Sequence, residues 1–131
     1  PNGCGQHHVA DIGFHGAATK APGGQVPAYE LFLGGSYDEG DSRIGLRVKG
    51  RIPAKKTPDA MKQIVDYYEK NRNDGELFRD FVVRVTPQAF EPIIAELKET
   101  RELNRDSIDA YMDWDKTIIY KMERGEGECS I

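Results

Sequence analysis

The sequence is poor in cysteine, has no long apolar run and carries no excess of positive charge. Its two cysteines, Cys4 and Cys129, stand near opposite ends of the 131 residues. A disulfide scaffold is therefore not the organising principle, and the expected setting is an intracellular, reducing one, the cytoplasm. No stretch approaches the roughly 18 apolar residues that a membrane-spanning helix needs, so no membrane role is expected. Basic residues number 18 against 22 acidic ones, a formal net charge of -4. That balance disfavours nucleic acid as a partner, because neutralising phosphates takes clustered Lys and Arg. The opening residues lack both an initiator Met and the charged-then-apolar pattern of a secretory signal. The expectation is that the sequence is a piece cut from a longer chain.

What is present is the composition of one folded unit: 38% hydrophobic and 31% charged over a length suited to one domain, residues 1–131. Eleven of the fourteen glycines lie at or before Gly50, so the two halves are built differently. In the first half, residues 9–14, 29–33 and 43–48 are short segments rich in β-branched and aromatic residues, bounded by Gly, Pro, Asp or Ser. They predict three strands, joined by turns at 21–24 and 37–42. From Thr57 the apolar period lengthens. Thr57 as N-cap, Pro58 at the first helical position, and Met61, Ile64, Val65 and Tyr68 on one face predict a helix over about 58–72. Residues 77–83 predict a short helix. Phe90, Ile93, Ile94 and Leu97 predict another, starting near Phe90 because Pro92 interrupts the pattern. Residues 117–120 predict a late strand near Trp114, and the last residues a frayed end. The fold class expected is α+β: a small antiparallel or mixed sheet from the first half, covered on one face by helices of the second.

The residues closest to chemistry are Pro1-Asn2-Gly3-Cys4-Gly5. A cysteine between glycines offers a thiolate on backbone that can approach a bulky cluster closely, with amide N–H groups free to point at its sulfurs. The same pattern also describes an ordinary thiol, and spacing alone does not decide between them. Three histidines, His7, His8 and His15, raise the question of a metal site. Adjacent histidines on a strand point to opposite faces, so ordinary polar packing is expected instead. Arg43, Arg47, Lys49, Arg51, Lys55 and Lys56 form the densest basic stretch, read either as a solvated strand-and-turn face or as a surface for an anionic ligand. Cys129 has no basic neighbour in sequence, and no catalytic role is expected of it.

The run Pro1 to Gly16, then Val26 to Gly35 ending in Leu-Gly-Gly, then Arg43-Ile-Gly45 and Gly50-Arg-Ile-Pro53, resembles the C-terminal half of the siroheme-containing, ferredoxin-type nitrite and sulfite reductases. In that family the signature reads Cys-Pro-Asn-(Gly/Ser)-Cys-Gly, followed by an Ala-Asp-Ile-Gly-like strand. The likeness continues through Gly75 to Arg84 and covers roughly residues 1 to 95. It implies that Cys4 is the last of four cysteines holding a 4Fe-4S cluster and bridges that cluster to the siroheme iron as its axial ligand. It implies for Asn2 a hydrogen-bonding role beside the cluster. The parent reaction would be the six-electron reduction of nitrite to ammonium or of sulfite to sulfide, fed by ferredoxin or a similar donor. On this reading residues 1–55 are the cofactor-proximal strands and loops, 56–104 the helical part and 105–131 a tail. Arg43, Arg47 and Lys49 have the charge to meet siroheme carboxylates or the substrate anion, set against a plain surface role.

The departure from the family is that the cysteine preceding the Pro-Asn pair and the earlier cysteine pair are not among these residues. One thiolate does not hold four irons, so the 131 residues alone are expected to be colourless and inactive, working with the remainder of the parent reductase. Residues that separate nitrite from sulfite are expected outside this stretch. The rival reading is a non-enzymatic interaction or regulatory module that keeps the family fold.

Overall fold

In the computed structural model, which describes residues 6–98 and 102–122, one strand is paired on both sides and everything else is arranged around it. This is β2 (Gly24–Leu33), antiparallel to β1 (Ile12–Ala21) on one side and to β5 (Leu46–Pro53) on the other, in the order β1-β2-β5. Between β2 and β5 a two-stranded hairpin, β3 (Ser36–Asp38) and β4 (Asp41–Arg43), stands apart from the main sheet. Three helices follow: α1 (Thr57–Asn71), α2 (Phe78–Val85) and α3 (Glu91–Leu97). The fold is α+β with antiparallel sheets.

Several boundaries differ from the sequence expectation, each for a physical reason. The first strand begins at Ile12 instead of Val9 and runs on through Gly16-Ala-Ala-Thr-Lys, because ladder pairing with β2 from Ile12–Leu33 to Ala21–Gly24 overrides the weak strand propensity of small residues. The hairpin closes on Pro22 and Gly23 inside the expected turn, so the second strand starts at Gly24 instead of Tyr29. The segment expected as one strand over 43–48 is split at Ile44–Gly45: β4 ends at Arg43 and β5 starts at Leu46. The turn expected over 37–42 contains the β3–β4 pairing.

Thr57 is not the N-cap of α1. It is the first helical residue, with Lys56 before it in a 3-10 turn (Ala54–Lys56), and its hydroxyl is buried without a partner among the described residues. The buried stripe of α1 is also rotated by about one residue. Ala60 and Ile64 are fully buried with Tyr67 and Tyr68 beside them, whereas Met61 and Val65 lie at the solvent boundary, 37% and 38% exposed. Pro92 sits in the first turn of α3 after a 3-10 turn (Pro87–Phe90), as its missing N–H allows. No strand forms over 117–120. One isolated bridge, Met112 to Ile119, stands there instead.

The core lies between the sheet and the helices. Leu31, Leu33, Val48 and Ile52 from the strands meet Ile64, Phe81, Val82, Phe90 and Ile94 from the helical half. Phe81 is its hinge: fully buried, with ring centroids 5.6 Å from Tyr67, 5.2 Å from Tyr68 and 6.2 Å from Phe90, all in edge-on geometry. The described part of the stretch expected as a tail packs back on the hairpin. Buried Tyr111 accepts a hydrogen bond at its hydroxyl from the Gly23 N–H (3.1 Å), and the Trp114 indole N–H donates to the Ala54 carbonyl (3.2 Å). A Cβ on Gly23 would stand 2.3 Å from Leu103 Cβ, which is why glycine serves at the hairpin tip.

The loop between α1 and α2 is held by one carboxylate. Glu76 takes two hydrogen bonds from Arg84 (both 2.8 Å) and one from the Asn73 N–H (3.0 Å), and the same Arg84 donates to the Asn71 carbonyl (2.9 Å). Arg84 first, then the Asn73 amide, pull the Glu76 carboxyl down to about 2. Its folded-state value lies below the ordinary one, so its contribution is full above pH 4.5 and is lost as pH falls through the window toward 2. The melting temperature should therefore drop as pH is lowered from 5 to 2, and Arg84→Met should flatten that drop while lowering the melting temperature at pH 7. A separate test of the core is Phe81→Ala, which should cost about 3–5 kcal/mol in denaturant unfolding.

Candidate cofactor-facing site

The side of the sheet turned away from the helices is organised by the period of two in β2. Leu31 and Leu33 enter the core, so Glu30 and Phe32 stand on the opposite face. Chain segment 6–11 is laid over this face as a turn. Its backbone carbonyls are tied to glycines: the Gly45 N–H donates to His8 (2.6 Å), the Gly35 N–H to Ala10 (3.1 Å) and the Gly34 N–H to Asp11 (2.9 Å). The approach is close enough that side chains are forbidden. A Cβ on Gly13 would lie 2.0 Å from the His7 carbonyl oxygen, and one on Gly35 would lie 2.7 Å from both the Ala10 and His8 oxygens. Gly13, Gly35 and Gly45 thus form a cradle that fixes the path of the backbone immediately after Gly5.

Because residues 6–9 form a turn, the strand argument against the histidines acting together does not apply, and their rings come to one side. His7 and His8 have ring centroids 3.8 Å apart, His7 and His15 4.6 Å, and both His7 and His8 stand edge-on to Phe32 at 5.0 and 5.1 Å. The Nδ1 of His7 is buried without a hydrogen-bond partner among the described residues. Next to the imidazoles, Glu30 draws in Arg47 (2.7 Å), Arg51 (3.6 Å) and the His15 Nδ1 (3.8 Å). One carboxylate thus faces two guanidiniums and a group of imidazoles, and the local balance favours an anion. Among the described residues no group of three or more His, Cys, Asp or Glu has the arrangement of a metal site.

The basic stretch does not act as one patch. Arg47 and Arg51 join this face, whereas Arg43 turns to Asp41 (2.6 Å) and Asp80 (2.9 Å). Arg79 holds the same hairpin, through Asp38 (2.7 Å), Asp41 (3.0 Å) and Ser36 Oγ (2.6 Å), and together these arginines pin β3–β4 to α2. Lys55 lies over the Trp114 ring (4.5 Å) and near Asp109, and Lys49 and Lys56 are exposed. Of the residues singled out from sequence, Cys4, Asn2 and Cys129 lie outside the described residues. Sequence reasoning missed Glu30, Phe32 and the cradle glycines. The alternation of Glu30 and Phe32 with Leu31 and Leu33 was the available signal for the first two.

The donor set bears directly on a 4Fe-4S cluster. The 131 residues contain two thiols, and such a cluster takes about four protein ligands. These residues do not complete a cluster site by themselves. Gly35→Ala should dislodge the turn of residues 6–11: the backbone oxygens 2.7 Å away cannot retreat as a flexible side chain would. The expected result is loss of the His7–His8–Phe32 ring-current shifts in NMR with the core resonances retained.

Comparison with known proteins bears on the same region. A profile described as the nitrite and sulphite reductase 4Fe-4S domain matches residues 1–105. The chain is 42% identical over 84 residues to the sulfite reductase [NADPH] hemoprotein beta-component of Staphylococcus carnosus, covering 64% of this chain and 13% of that protein. It is 38% identical over 84 residues to the protein of the same name from Bacillus licheniformis, with the same coverage. The Staphylococcus epidermidis protein matches at 34% over 104 residues, 79% of this chain and 16% of that one. The chain therefore spans 13 to 16% of the length of these relatives. Among solved structures, the NirA protein of Mycobacterium tuberculosis superposes with a TM-score of 0.63 at 28% identity, covering 69% of this chain and 17% of NirA. No helix among the described residues is long and apolar enough to cross a membrane. With the profile spanning the whole sheet, all three helices and the Cys4 motif, the chain belongs to the nitrite and sulphite reductase 4Fe-4S domain family.

Proposed function

We propose that these 131 residues work as one unit in the C-terminal part of a cytoplasmic siroheme-dependent reductase, where the complete protein carries out the six-electron reduction of sulfite to sulfide or of nitrite to ammonium. The observation that carries this reading is the glycine cradle, which seats the backbone following Cys4 against a cationic, histidine-rich sheet face. Cys4 would supply one thiolate toward the 4Fe-4S cluster and the siroheme, groups that would carry electrons to the substrate anion, and Asn2 would contribute hydrogen bonds beside it. The other cluster ligands come from the remainder of the parent reductase. The role of the chain's own groups is to hold and orient. The cradle fixes the backbone of residues 6–11, which follow the Cys4 motif in sequence, and Phe32 stops the His7 and His8 rings from turning away. Glu30 holds Arg47 and Arg51 in place while leaving positive charge to attract an oxyanion or a cofactor carboxylate.

The names of the relatives, sulfite reductase [NADPH] hemoprotein, favour sulfite over nitrite and a donor chain that begins at NADPH over ferredoxin. The test compares three proteins after reconstitution with iron, sulfide and siroheme. The 131-residue chain should stay colourless and inactive. The parent reductase should take up stoichiometric iron and haem-type absorption and reduce sulfite with a chemical electron donor. The parent carrying Cys4→Ser should lose that absorption and its activity. Stable stoichiometric absorption in the isolated chain, or an unchanged spectrum in the Cys4→Ser parent, would overturn the assignment.

A further inference from the structure

The two outer strands of the main sheet differ in how they meet their surroundings. β5 is protected as natural edge strands are. Arg47, Lys49 and Arg51 place three charges in its eight residues, Pro53 closes it, and its register against β2 shifts between Tyr29 and Leu31. Gly50 adds a kink at φ +114°, and α3 packs against the strand so closely that a Cβ there would stand 3.0 Å from Ile94. Such features turn an edge away from further pairing. β1 has none of them. It is ten residues long, pairs with β2 in unbroken register from Ile12 to Ala21, and contains no proline or bulge. Its one residue with a permanent charge is Lys20, next to its end, and half of its ten residues are Gly or Ala: Gly13, Gly16, Ala17, Ala18, Ala21. No described strand pairs with its outer side.

In an antiparallel ladder about half of an edge strand's N–H and C=O groups point away from its partner, here about five of each. A long, regular, nearly uncharged edge is a template for another strand, and natural monomers avoid leaving one open. From this contrast between β1 and β5 we infer that the outer edge of β1 is an interface, completed by an extended strand from the remainder of the parent reductase polypeptide. The coverage of 13 to 17% of the related chains supplies the source: in proteins of that length most of the backbone able to fill this edge lies outside the matched segment. A second copy of this chain would need a free β1 on each partner, and that arrangement is the competing outcome. The inference rests on the chain being part of a longer reductase, as proposed above, but not on Cys4 or any cofactor.

Amide hydrogen exchange resolved along the strands tests it, with the 131-residue chain at low concentration compared with the parent reductase purified without added iron or siroheme. The expected result is that alternate amides within 12–21, those not bonded to β2, exchange at least about tenfold more slowly in the parent, while the outward amides of 46–53 are unchanged. Equal exchange of the β1 amides in both proteins would overturn the inference, as would protection gained on β5 instead. It would also fall if the isolated chain gained the same β1 protection simply on being concentrated, with a dimer in sedimentation, because the occupant would then be a second copy. Loss of cofactor binding in the parent leaves this readout intact, so failure of the cofactor assignment and failure of the edge assignment remain distinguishable.

Discussion

The strict alternation of side chains along β2 is the constraint on which both faces of the molecule depend. A residue on a pleated strand cannot choose its side independently of its neighbours. Leu31 and Leu33 must enter the core to meet Phe81 and Val48, and that requirement alone delivers Glu30 and Phe32 to the other face. The arginines of β5 and the histidines of the 6–11 turn then assemble around two residues whose position was decided by packing elsewhere. A single-residue slip of β2 would empty the core and scatter the charged face together.

The rest of the site follows from what is missing at its glycines. The turn carrying His7 and His8 lies so near the sheet that Gly13 and Gly35 leave no room for a methyl group. Its hydrogen bonds to Gly34, Gly35 and Gly45 replace water that the turn excludes from its own carbonyls. The histidine rings share a side because the turn, and not strand geometry, sets their directions. Two structural tasks, seating a turn and clustering imidazoles, are thus met by the same few backbone contacts.

What was legible in the sequence was mainly periodic. The change from short β-rich segments to helical spacing near Thr57, the turn at 21–24 and the start of α3 near Phe90 all rest on local steric rules, and the structure has them. The errors arose where tertiary pairing outweighs propensity. The alanines and glycines of β1 are poor strand formers that β2 recruits, and Thr57 is overtaken by the 3-10 turn preceding it. The rotation of the α1 stripe, with Ala60 inside and Met61 outside, was hidden because a small buried residue carries less apolar signal than a large exposed one. Motifs in the sequence located the Cys4 region, but no local pattern announces that residues from three strands will meet at Glu30.

The bond between the Gly23 amide and the Tyr111 hydroxyl joins positions 88 residues apart and closes a loop around nearly the whole described fold. Contacts of such separation form late, since the chain entropy lost in making them is recovered only when the intervening elements are in place. During synthesis the hairpin tip leaves the ribosome 88 residues ahead of its partner and waits until the sheet and the helices have followed it. The order of events built into this contact is that the turn between β1 and β2 is locked only after the elements that follow it in the chain.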